Sequence, residues 1–386
     1  MRNNNFQQSS KLLLGSVLLA TATTAMAGGT IKLGDNKSIS VGVGLRAAFT
    51  ATEDAAPSGD AYSKDFNIQN ARIYLSGQLD KDFKFTFNTD EIWGQMDVLD
   101  AIIQYEPSKE FNIWMGRMLT PADRIEMNGP FYGLSWHQYT VPLMPSDNDP
   151  MHEARAGKYG RDDGITVWGT IDKFQYAVGA FDGVDYDGGP NVDDSLLFAG
   201  RFAYNFLNME DNPAYYTSST YYGGLGDIFT IGISAQQQTD GAGVQGDSAD
   251  FMAAAIDVLF EKPIGNGNVV TIEGEYKAMD ADLSAAAIAN GDSFVLFDGT
   301  TMFATVAYLH GSPVGKGKLQ PYVRMTQTEP SSDTIDSSDL LEIGVNYVIS
   351  GHNLRFNANI TDGDANPSGN PGTDAKTFSF GMQQQF

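Results

Sequence analysis

The sequence has no cysteine in 386 residues. That excludes disulfides, a thiol nucleophile and a C-x-x-C-H haem attachment, so stability and chemistry have to come from other groups. Histidine is almost as scarce, with only His137, His152, His310 and His352. Ser135, His137 and Asp147 fall within one stretch, but no G-x-S-x-G elbow accompanies them, so they do not make a hydrolytic triad. No enzyme activity, cofactor or metal site is expected. Basic residues are outnumbered two to one, 24 Lys and Arg against 48 Asp and Glu, which excludes nucleic acid as a partner. Beyond residue 27 there is no apolar run long enough for a membrane helix.

One short apolar run does occur at the start. Arg2 and Lys11 precede LLLGSVLLATATTA, and Ala25-Met26-Ala27 is a small-residue cleavage site. Residues 1–27 therefore read as a secretory signal peptide; a retained anchor would need a longer run. Residues 28–386 are read as a single domain.

That domain alternates. In SISVGVGLRAAF, Ile39, Val41, Val43 and Leu45 share one face, with Ser40, Gly42, Gly44 and Arg46 on the other. The same period of two sets Phe83, Phe85 and Phe87 against Lys84 and Thr86, and Leu354, Phe356 and Ile360 against Arg355, Asn357 and Asn359. Sixteen such segments follow one another, from 38–49 to 375–386. The links between them alternate in length. Short links are 80–82, 107–109, Asp172, 262–267, 311–317 and 351–352; long ones are 50–67, 118–162, 183–195, 239–248, 280–300, 329–338 and 362–374. Two links break the rule: 92–96 is short for its side, and 207–226 is long where a turn is expected.

A soluble sandwich also alternates, with its apolar face inward. Here the opposite face carries Arg46, Arg72, Lys84, Asp90, Arg201, Asp257, Glu273, Glu275, Arg324, Glu342 and Arg355, and 23 Phe with 17 Tyr supply an aromatic girdle. The expectation is all-β: a 16-stranded antiparallel transmembrane β-barrel with short periplasmic turns and long external loops. The strand ending in Phe386 would close the ring against the first and remove both free edges.

With these segments in view, the chain resembles bacterial general porins. GRMLTPADRIEMNGPFYGLSW after the fifth strand, GRDDGITVWGTI on the sixth, and NPAYYTSSTYYGGLGDIFTIGISAQQQ leading into the ninth resemble the phosphate-selective porin O/P group. The resemblance implies a homotrimer in the bacterial outer membrane, among lipid and lipopolysaccharide. It also implies an in-folded third loop, 118–162, that constricts the channel, and an assembly signal at Phe386 read by the barrel-assembly machinery. Such a channel would pass small hydrophilic solutes and ions, with phosphate among the candidates.

Charges on or beside that loop are the expected constriction: Arg117, Asp123, Arg124, Glu126, Arg155, Lys158 and Arg161. The expected pore wall is Arg46, Arg72, Lys84, Arg201, Arg324 and Arg355. The blander role for each is to pair with a neighbour and pin the loop. Carboxylates on the same face, Asp90, Asp257, Glu273 and Glu275, oppose a strong anion preference. The acidic, Gly-rich stretches 181–194 and 361–374 lack EF-hand spacing and read as solvated external loops. A structural barrel, either an adhesin or a sheath for an electron-transfer partner, is the alternative to an open channel.

Overall fold

The computed structural model describes residues 28–92, 95–144, 160–184, 189–281 and 297–386. The segment read as a signal peptide lies outside them, as do Arg155 and Lys158. The strands are β1 (Gly28–Gly34), β2 (Lys37–Thr52), β3 (Asp65–Gln78), β4 (Phe83–Ile92), β5 (Gln95–Tyr105) and β6 (Asn112–Leu119). They continue with β7 (Arg161–Ile171), β8 (Phe174–Phe181), β9 (Leu197–Asn205), β10 (Ile228–Val244), β11 (Asp247–Pro263) and β12 (Val269–Asp280). The remainder are β13 (Gly299–Leu309), β14 (Lys318–Pro330), β15 (Ser338–Ser350), β16 (Leu354–Gly363) and β17 (Ala375–Gln385). No helix occurs among the described residues.

Strands β2 to β17 pair antiparallel in sequence order, and β17 returns to β2 through pairs such as Phe380↔Phe49 and Gln383↔Arg46. This is a closed 16-stranded barrel, as the alternation predicted. Closure satisfies the backbone of every strand without leaving a long edge. The seventeenth strand, β1, was not anticipated. It pairs with the start of β2, from Gly28↔Gly42 to Gly34↔Lys37, on the stretch that β17 does not reach.

The two faces differ as the sequence implied. Ile103, Ile68, Met325 and Met115 are exposed on the outside, whereas Arg324 and Arg355 on the opposite face are fully buried. One link differs from expectation. Residues 239–248 were read as an external loop, but β10 runs to Val244 and β11 starts at Asp247. A register shift between Gln238 and Ala242 absorbs the extra residues, and Gly246 turns with φ 85°. A strand that extends past the apolar belt needs no apolar face, so its polar sequence resembles a loop.

Candidate pore site

The link after β6 supplies the segment 120–144, whose backbone and side chains meet the polar face of the wall. It begins with a tight turn in which Asp123 Oδ1 accepts from Glu126 N at 3.1 Å and Asp123 O accepts from Met127 N at 3.1 Å. An acid-rich hub follows. Lys277 of β12 places Nζ 2.6 Å from Asp123 Oδ2 and 2.6 Å from Glu126 Oε1, and donates to Pro142 O at 2.9 Å. Glu126 Oε1 also accepts from Met144 N at 2.7 Å. Burial, and then the neighbouring Asp123 carboxylate, push the Glu126 carboxyl up to about 8.

Arg124 is a second hub. Its Nη2 and Nη1 clasp Glu210 at 2.6 and 2.8 Å, its Nε reaches Asp257 Oδ1 of β11 at 3.3 Å, and Nη1 also donates to Ser218 O at 2.9 Å. Arg201 of β9 shares Asp257, with Nη2 2.9 Å from Oδ1, and donates to Ala122 O at 3.1 Å. A guanidinium fork suits this work because its donors are fixed in one plane.

Further along, wall side chains hold the segment by its carbonyls. Arg355 of β16 donates to Gly133 O at 2.7 Å, Asn346 of β15 to Leu134 O at 2.9 Å, and Arg46 of β2 to Trp136 O at 2.8 Å. Arg324 of β14 donates to Ser135 Oγ at 2.9 Å, His137 O at 3.1 Å and Gln138 O at 3.0 Å. Arg46 also lies 4.2 Å from the centroid of the Trp136 ring. Two wall glycines make room for aromatic anchors. A Cβ at Gly44 would meet the Phe131 ring at 2.9 Å, and one at Gly381 would collide with Trp136.

The remaining expected residues are distributed as follows. Arg72 pairs with Asp90 at 2.8 Å, Arg161 with Asp100 at 3.2 Å, and Lys84 with Glu106 at 2.5 Å. Lys84 is the only one of the six expected wall cations to keep substantial exposure, at 38 % of its side chain. Arg117 is a correction. In the β5–β6 register it stands opposite Ala101, two residues from the Met115↔Ile103 pair on the exposed apolar face, and it reaches Asp163 at 3.4 Å. The period of two therefore puts Arg117 on the outside rather than at a constriction.

Lys277, Gly44, Gly381 and Glu210 were not singled out from sequence. Lys277 stands on the polar face of its strand and was discoverable by its register. The glycines carried no signal, because nothing in a strand sequence says which ring will lie over it.

No family model matches the sequence, and no curated protein matches it. Solved structures do. OmpF of Salmonella typhi, in complex with daunomycin, aligns over 93 % of this chain and 100 % of its own, with TM-score 0.57 and 12 % identity. An anion-selective porin from Comamonas acidovorans aligns over 91 % and 100 %, with TM-score 0.55 and 13 % identity. A trimer form of OmpT, an outer-membrane protein of Vibrio cholerae, aligns over 91 % and 100 %, with TM-score 0.55 and 13 % identity. At these identities the likeness is one of fold.

Proposed function

We propose that the chain is an outer-membrane porin, a non-enzymatic channel for passive diffusion of small hydrophilic solutes and ions. The carrying observation is the closed 16-stranded ring with an exposed apolar outer face and a charged inner one. A ring of this size encloses a lumen wide enough for water. Segment 120–144 narrows that lumen, and the bonds from Arg46, Arg324 and Arg355 to its carbonyls hold it in place. Phosphate would need those same guanidinium groups free. They hold carbonyls through part of each fork, while Arg46 Nε, Arg324 Nη2 and Arg355 Nη2 keep no protein partner among the described residues, so the solute class is small hydrophilic solutes and ions in general, with phosphate not singled out. The barrel sits among outer-membrane lipid and lipopolysaccharide after removal of residues 1–27, is inserted by the barrel-assembly machinery, and assembles as a homotrimer, an arrangement supported by the trimeric fold relative.

The test is single-channel recording of the folded protein in planar bilayers under asymmetric salt. Discrete steps support the channel, and the reversal potential gives its ion preference. A second reading, a structural barrel with a filled lumen, is favoured by the near-complete burial of Arg201, Lys277, Arg324 and Arg355 on the wall. Folded protein that never conducts would decide for it.

A further inference from the structure

The links Asp172–Lys173, 264–268, 310–317 and 351–353 are turns at one end of the barrel, but the link between β9 and β10, residues 206–227, shares that end and is far longer. It does not hang free. Tyr222 packs against His352 in the turn before β16, with ring centroids 4.9 Å apart, and His352 Nε2 lies 2.9 Å from Thr220 O. From there the link meets the segment that comes from the opposite end. Thr217 N donates to Met127 O at 3.1 Å and Ser219 N to Tyr132 O at 3.2 Å. Asn128 Nδ2 donates to Ser219 Oγ at 2.6 Å, Thr217 Oγ1 to Arg124 O at 2.8 Å, and Tyr215 OH to Leu119 O at 2.7 Å. Ser219 and Thr220 also donate to Glu273 and Glu261 on the wall, at 2.5 and 2.7 Å.

The two segments thus dock on one another, with the two-point Arg124–Glu210 pair as a further tie. Both of those side chains are buried, and Glu210 lies before Ala214, so this pair can hold while residues 215–221 move. The link also contains two residues in the left-handed region, Ala214 at φ 58° and Tyr222 at φ 54°, with Gly223 at φ 80° beside the second. Such conformations are unfavourable for residues with a side chain and cluster where a segment switches.

We propose that residues 206–227 are a gate entering from the turn end of the barrel, which closes the lumen by docking on segment 120–144 and opens by swinging away about Ala214 and Tyr222. The proposal rests on the channel reading and adds that passage requires this second segment to undock.

Because the chain has no cysteine, a double variant Asn128→Cys with Ser219→Cys carries the only pair able to form a disulfide. Recorded in planar bilayers, the oxidised protein should show severalfold fewer or smaller openings than the same protein after reductant. A second variant with 211–219 replaced by a short Gly-Ser linker should conduct severalfold more than the unaltered chain. Equal conductance of the oxidised and reduced forms, with disulfide formation verified, overturns the gate, as does an unchanged conductance in the shortened link. If the unaltered, reduced and shortened proteins all fold and none conducts, the channel reading itself fails. A conducting protein that is insensitive to both changes refutes the gate alone.

Discussion

Phe386 and Val43 exchange two backbone hydrogen bonds, Val43 N to Phe386 O at 2.7 Å and Phe386 N to Val43 O at 2.9 Å. The next residue along β2, Gly42, is already paired with Gly28 of β1. Phe386 therefore stands at the seam where the ring closes, and its side chain is exposed on the outside. Deleting it should remove both bonds and the aromatic group together. The expected outcome is less heat-modifiable barrel in the outer membrane and more periplasmic aggregate. Unchanged barrel yield on gels would show that the seam closes without it.

The barrel was legible in the sequence because each of its strands is a local pattern, and pattern survives without neighbours. The residues of the site were half legible. Register put Arg46, Arg324 and Arg355 on the polar face, but their partners are the carbonyls of residues 133–138, which carry no sequence signature. Arg117 was grouped with the constriction because it adjoins the link 118–162, although the period of two counted along β6 sets it opposite Ala101 on the other face. The link 206–227 was noticed as too long. Its docking on Met127 and Tyr132 depends on contacts distant in sequence, which no local period records.

Phe85 and Lys84 test the assignment of faces. Phe85 lies on the same side as exposed Phe83 and Phe87, and its ring covers Gly77 of β3. Phe85→Arg puts a charge against lipid close to the turn end of β4, at a cost that reaches about 2–4 kcal/mol at the midplane and falls toward the interface. Lys84→Gln removes a half-exposed pair with Glu106, worth roughly 0–1 kcal/mol. Urea titration of refolding into lipid vesicles should separate the two clearly. Equal losses would mean that the register is off by one residue.

Gly381→Ala tests the socket under Trp136. The new methyl group would collide with the ring, which has to shift and weaken its contact with Arg46. Overpacking of this kind costs roughly 1–3 kcal/mol. The loss should fall on the segment and leave the wall intact, so that protease cuts within 131–138 appear while heat-modifiability persists. Arg355→Ala should act in the same direction by freeing Gly133 O. If neither variant is cut faster than the parent, the segment is held by other contacts.

The hub of Asp123, Glu126 and Lys277 gives docking of the segment a pH dependence whose sign follows from the geometry. Three buried carboxyls crowd one ammonium, Asp123 and Glu126 at 2.6 Å and Glu275 at 3.7 Å, so not all of them are charged at once. Burial and Asp123 raise the Glu126 carboxyl to about 8, whereas an undocked segment would return it to the ordinary carboxylate value. The docked form therefore binds more protons between those two values, and docking weakens as pH rises through that window. Asp123 has the opposite shift. Although burial opposes it, the Lys277 ammonium holds the Asp123 carboxyl below its usual range, so docking is also lost when pH falls below the ordinary carboxylate value. Docking should be tightest in mildly acidic solution and looser near pH 8 to 9. Protease cleavage within 120–144, followed against pH on the intact barrel, should rise in the parent from the ordinary carboxylate value up to about pH 8, the upper limb, and level off above it. In Glu126→Gln, which is neutral at every pH and can still accept from Lys277, that upper limb should disappear while the acid limb remains. An upper limb that persists unchanged in Glu126→Gln would place the titrating group elsewhere.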